Sequence, residues 1–159
     1  REDTKLLVVG KSWFGEENVK DEYTCKVQKE AEKVRNKIIF TGFVNPDKMP
    51  LMYQIADCLV VPSIWEEPFG VVALEGMASG LPLIVTNSGG LPEIVNDKCA
   101  VIVNKEKDIV NNLTDEMNKM MINEAKAKKM GECARETVQS NLEYDSRNYF
   151  GLFLKKTIG

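Results

Sequence analysis

An apolar run that breaks at Glu67-Pro68-Phe69-Gly70 and resumes as a short helical segment constrains this chain more than any other stretch. Cys58-Leu59-Val60-Val61-Pro62-Ser63 shows no polar–apolar alternation, the pattern of a parallel strand buried on both faces. Val71 to Gly80 reads as a helix that stops at glycine. Pro68 fixes the approach to that helix, and Gly70 has no side chain to obstruct a ligand. The N–H groups of Phe69, Gly70 and Val71 are therefore expected to be uncommitted, and a helix N-terminus above strand ends favours phosphate or diphosphate. Glu67 and Glu75 flank this end. Carboxylates repel phosphate, but they accept hydrogen bonds from hydroxyls such as those of a ribose or a hexose. Phosphate in the middle with hydroxyls on both sides describes a nucleotide-sugar. The bland alternative makes Glu67 an acid at a helix start and Glu75 a solvated helix residue.

Seven residues separate Glu67 from Glu75; Pro-Phe-Gly follows the first, and Gly76-Met77-Ala78, Gly80 and Pro82 follow the second. This pattern resembles the donor-site signature of the retaining, GT-B type glycosyltransferases. The likeness continues through Leu83-Ile84-Val85-Thr86 and Ser88-Gly89-Gly90-Leu91-Pro92-Glu93-Ile94-Val95. It also reaches back over Ile38 to Phe43 and Leu51 to Asp57. The resemblance implies the C-terminal, donor-binding domain of such an enzyme, transferring a sugar with retention in polysaccharide or glycan biosynthesis. By the same resemblance, Glu75 accepts from the ribose hydroxyls. Glu67, the candidate catalytic residue, holds the transferred sugar so that its anomeric carbon can be attacked. Pro68, Phe69, Gly70 and Val71 meet sugar and diphosphate, the last three through their amides. Phe43 and Val44 would hold the base edge through their backbone, and Gly10 would lie near the donor phosphates. The family's acceptor half, which takes a glycan or lipid-linked acceptor, is not among these residues. Nor is the first strand–helix unit of the donor domain, with its basic groups. The chain alone is therefore expected to be catalytically silent.

At 159 residues the chain suits one domain with a single core. A net charge of −3 argues against a nucleic-acid partner. No apolar run is long enough to span a bilayer, and no signal peptide is seen at Arg1, so membrane contact is expected to be peripheral or outside these residues. Cys25, Cys58, Cys99 and Cys133 form no C-x-x-C pair, which suggests reduced thiols and a cytoplasmic location. With no histidine, the chain has no His base and no His metal ligand. It also lacks a D-x-D pair, so no metal and no cofactor are expected; helix N–H groups would serve the diphosphate instead.

Strand-like runs at Leu6–Val9, 37–42, 58–63, Leu83–Thr86 and Ala100–Val103 alternate with helical patterns at 21–35, after Asn45-Pro46, at 71–80, at Leu91 and over 106–140. The helical stretch 106–140 is expected to part near Asn123, and a last helix is expected over 142–158. The helix after Pro46 should bury Met49, Leu51, Met52, Ile55 and Ala56. The alternation predicts an α/β fold, a Rossmann-like parallel sheet flanked by helices with ligands at the strands' carboxyl ends. In a sheet ordered 3-2-1-4-5-6 with its first strand missing, a longer native chain of which this is a fragment is expected to supply that strand, and in the isolated chain residues 5–9 and 58–62 should pair directly or admit a strand from a second molecule. Gly10-Lys11-Ser12 is not a P-loop, because Lys5 stands where that motif needs glycine.

Rival readings weaken on particular residues. Epimerases of GT-B architecture rely on histidines, and none is present. A non-catalytic nucleotide-sugar-binding or scaffold domain of the same fold would be expected to have replaced Glu67 or Glu75. A flavodoxin-like receiver needs clustered acids after its first strand, and residues 10–12 supply none.

Overall fold

Five strands alternate with six helices among residues 4–10, 22–34 and 36–140, which the computed structural model describes. The chain divides into two units between Met49 and Pro50. Residues 142–158, for which the sequence predicts a last helix, lie outside the described residues.

In the first unit β1 (Leu6–Val9) runs parallel to β2 (Ile38–Gly42), with α1 (Glu22–Glu32) between them in sequence. The ladder ends where the Gly10 N–H donates to the Gly42 carbonyl at 3.2 Å. The apolar run Leu6–Val9 forms a strand, but not a buried one. Leu6, Ile39 and Phe40 are exposed, and Ala31 is the one buried residue among those described in this unit. Two strands and one amphipathic helix cannot cover both faces of their own ladder.

The second unit holds β3 (Leu59–Val61), β4 (Leu83–Thr86) and β5 (Ala100–Val103), parallel and ordered β3-β4-β5. Parallel neighbours require crossovers, supplied by α3 (Val71–Ala78) and α4 (Leu91–Ile94). Central β4 is buried at all four residues, as its unbroken apolar sequence predicts. Ile84 and Val103 pack with Met120 of α5 (Ile109–Ile122) and Met130 of α6 (Glu124–Ser140). The break between α5 and α6 falls at Asn123, as expected. Helix α3 lies against β3, β4 and α6, with six of its eight residues buried. Such a helix is apolar nearly all round, which makes the burial of Glu75 within it a matter for chemistry.

Two expectations are revised here. Residues 58–63 contribute only Leu59–Val61 to the ladder, since Pro62 has no N–H to extend it. Among the described residues β3 pairs with β4 alone and β1 with β2 alone. Helix α2 (Met49–Gln54) buries Pro50 and Tyr53, whereas Leu51 and Ile55 are exposed and Met49, Met52 and Ala56 half-buried. A 3-10 turn at Pro46–Lys48, capped by the Asn45 side chain on the Asp47 N–H, precedes it. Its three-residue period shifts the apolar face out of phase, and α2 ends before Ile55.

Helices α3 and α6 approach at Gly131, where a Cβ would overlap the Gly80 carbonyl oxygen. Alanine favours a helix over glycine by about 1 kcal/mol. Overpacking against backbone outweighs that gain, so Gly131→Ala is expected to lose about 1–3 kcal/mol in urea unfolding. A stabilised variant would show that the helices can move apart freely.

Candidate functional site

Beyond β3 the chain crosses residues 62–70 before α3 begins, and the end of β4 holds this loop in place. The Thr86 hydroxyl donates to the Ser63 carbonyl at 2.6 Å. The Ser88 hydroxyl donates to the Trp65 carbonyl. One turn further, the Gly90 N–H donates to the Glu67 carbonyl at 2.7 Å. Gly89 has φ +50, and a Cβ there would overlap the Glu67 backbone. The backbone that these paired glycines approach is that of Glu67 and Pro68.

The Glu66 carboxylate fastens the same loop. It accepts from the Gly89 N–H at 3.0 Å and from Lys105 Nζ at 2.5 Å. Lys105 itself donates its N–H to Asn87 Oδ1 at 2.7 Å, and its ammonium stands 3.4 Å from Ser88 Oγ. The hydrogen bond from Lys105, and then its charge, hold the Glu66 carboxyl below the ordinary carboxylate range. Glu66 is solvent-exposed, so this pair acts more on geometry than on stability.

Gly70 is the residue before the first turn of α3, left-handed at φ 82, and no side chain caps the helix. Its carbonyl accepts from Ala73 at 2.9 Å and Leu74 at 3.3 Å. A Cβ on Gly70 would stand 2.6 Å from Leu91 Cδ2, so the glycine is needed for packing under the helix as well as for its φ. The opening turn of a helix has no i−4 acceptors for its N–H groups. At α3 the Glu67 carbonyl, which an added turn would have used, is taken by Gly90. Pro68, Phe69, Val71 and Val72 are exposed around this end.

The two motif carboxylates have different surroundings. Glu67 is half-buried, with the Ser63 hydroxyl 3.4 Å from its Oε2. Glu75 is 5% exposed, and the equally buried Tyr53 hydroxyl donates to its Oε2 at 2.6 Å. Glu75 is therefore not the solvated helix residue of the bland alternative. A buried carboxylate needs donors, and Tyr53 is one. Sequence reading missed Tyr53 because it lies between the residues of α2 taken for core, and it missed Glu66 and Lys105 because 39 positions separate them.

Gly10 and the Phe43–Val44 loop belong to the first unit, at the carboxyl ends of β1 and β2. Phe43 is 72% exposed and Val44 half-buried. Elsewhere, burial pushes the Cys58 thiol up to about 12, with the Asp57 charge adding to it, which removes it as a nucleophile. All four cysteines are free thiols. Among the described residues no three His, Cys, Asp or Glu side chains converge, and no helix is long and apolar enough to cross a membrane.

Comparison with known proteins bears on this arrangement. The family model described as glycosyl transferases group 1 matches residues 1–137. The chain is 32% identical over 161 aligned residues to the lipopolysaccharide 1,2-N-acetylglucosaminetransferase of Salmonella typhimurium, covering 94% of this chain and 42% of that protein. Its fold is similar to sucrose-phosphate synthase from Thermosynechococcus elongatus, with a TM-score of 0.75 and 27% identity over 96% of this chain and 36% of the other. It is also similar in fold to Anabaena HepE in complex with UDP-glucose, with a TM-score of 0.72 and 20% identity over 97% and 39%. The chain thus spans about two fifths of the length of these proteins. It belongs to the group 1 glycosyltransferases, and its parallel sheets flanked by helices are those of a C-terminal-type GT-B domain.

Proposed function

We propose that this chain binds the nucleotide-diphospho-sugar donor of a retaining hexosyltransferase, holding it for attack by an acceptor on the remainder of a longer protein. The observation that carries the reading is Glu75, a buried carboxylate in the helix whose uncapped N-terminus follows Glu67. The N–H groups at Phe69, Gly70 and Val71 take the diphosphate, where negative charge grows as the sugar–phosphate bond breaks. Glu75 accepts from the ribose, and Glu67 holds sugar hydroxyls and positions the anomeric carbon. Pro68 shapes the approach to the helix. No metal takes part, because the helix end supplies the electrostatic stabilisation. A glycan or lipid-linked acceptor fits the Salmonella relative, a lipopolysaccharide N-acetylglucosaminetransferase. The Anabaena neighbour's complex with UDP-glucose supports a UDP-sugar as the first donor to try. Free thiols fit a reducing, cytoplasmic setting, with any peripheral membrane contact made by residues elsewhere.

Isothermal calorimetry with UDP-, GDP- and ADP-glucose is expected to show binding of at least one, unchanged by EDTA. Binding that vanishes with EDTA would overturn the metal-free site. Glu75→Ala should weaken the favoured nucleotide by about 1.5–3 kcal/mol, the worth of hydrogen bonds to a charged acceptor. Equal affinity in that variant would remove Glu75 from the ribose. The purified chain, given donor and acceptor, should show no sugar transfer; turnover on the order of 1 s⁻¹ would show that the chain needs no second domain.

A further inference from the structure

We infer that Tyr53 is a positioning residue for the donor ribose, and that through Glu75 it makes the site select ribonucleoside over deoxyribonucleoside diphosphates. This rests on the reading of Glu75 given above. Both side chains are buried, and the phenol donates to Glu75 Oε2 at 2.6 Å across 22 positions of sequence. That length is characteristic of a strong, charge-assisted bond. A glutamate has three side-chain torsions, the last of them broad, so an untethered carboxylate samples many planes. Tyr53 occupies one lone pair of Oε2 and thereby fixes the plane of the group. A carboxylate offers about four acceptor directions, and fixing the first fixes where the others lie.

The anchor is itself held. Tyr53 sits in α2, where its carbonyl accepts from the Ala56 N–H at 3.2 Å as the helix ends. Glu75 sits in the middle of α3, whose glycine neighbour Gly76 lies against Leu59 of β3. Two helices, α2 and α3, thus carry the donor and the acceptor of this bond. Vicinal ribose hydroxyls need an acceptor held to within fractions of an ångström, whereas the diphosphate is bound by amides that do not involve Tyr53. The phenol should therefore affect the ribose hydroxyls and nothing else in the ligand.

The test compares the tightest binder among UDP, GDP and ADP with its own 2′,3′-dideoxy form, by calorimetry. The wild-type chain should prefer the ribose form by on the order of 100-fold, two hydrogen bonds to a charged acceptor. In Tyr53→Phe that preference should fall about tenfold, with affinity for the dideoxy form unchanged and thermal unfolding still cooperative. If the substitution prevents folding, Tyr53→His, whose shorter ring cannot place a donor at the phenol position, takes its place with the same expectation. Preference retained in the variant overturns the inference while leaving Glu75 on the ribose. Equal loss for both ligands marks Tyr53 as a packing residue and overturns it too. A wild-type chain without ribose preference, or without binding of any of the three, overturns the assignment of Glu75 and the inference with it.

Discussion

The backbone contact between the Gly89-Gly90 turn and Glu67 governs the geometry of the second unit. It fastens the loop leaving β3 to the turn leaving β4, and so sets where α3 begins. Gly89 could not carry a side chain there, because the Glu67 backbone fills the space its Cβ would need. Two hydroxyl bonds from Thr86 and Ser88 and the Glu66–Lys105 ion pair repeat the attachment along the loop. A helix start held at so many points is pre-organised, which is what electrostatic stabilisation of a departing diphosphate demands.

Burial then separates two carboxylates that look alike in sequence. Glu67 stands at the rim, half-buried beside Ser63. Glu75 sits in the middle of a nearly buried helix and has Tyr53 as a donor. Removing a carboxylate from water costs several kcal/mol unless hydrogen bonds replace the lost hydration. A chain built only for stability would place an apolar residue at that position. Keeping Glu75 there is a cost that the proposed ribose contact would explain.

Much of the second unit was legible because parallel strands advertise themselves. Leu83–Thr86 and Ala100–Val103 are unbroken apolar runs, and each is a strand to the residue. The N-terminus of α3 was legible from Pro68-Phe69-Gly70, although Gly70 is needed for its fit over Leu91 and not only for access. The face of α2 was misjudged because the 3-10 turn at Pro46–Lys48 breaks the helical period on which such a reading depends. Leu6–Val9 is a strand, but composition could not tell how little would cover it. Tyr53 with Glu75 and Glu66 with Lys105 are joined across 22 and 39 positions, and no local spacing encodes contacts of that range. The motif carboxylates were found from the motif; the residue that orients one of them needed coordinates.

The most direct test of the account is a crystal structure of the chain soaked with UDP. It should place the ribose hydroxyls ~3 Å from the Glu75 carboxylate, with the Tyr53 bond retained and the diphosphate at the amides of Phe69, Gly70 and Val71. A nucleotide bound elsewhere, or bound here with its ribose out of reach of Glu75, would contradict it.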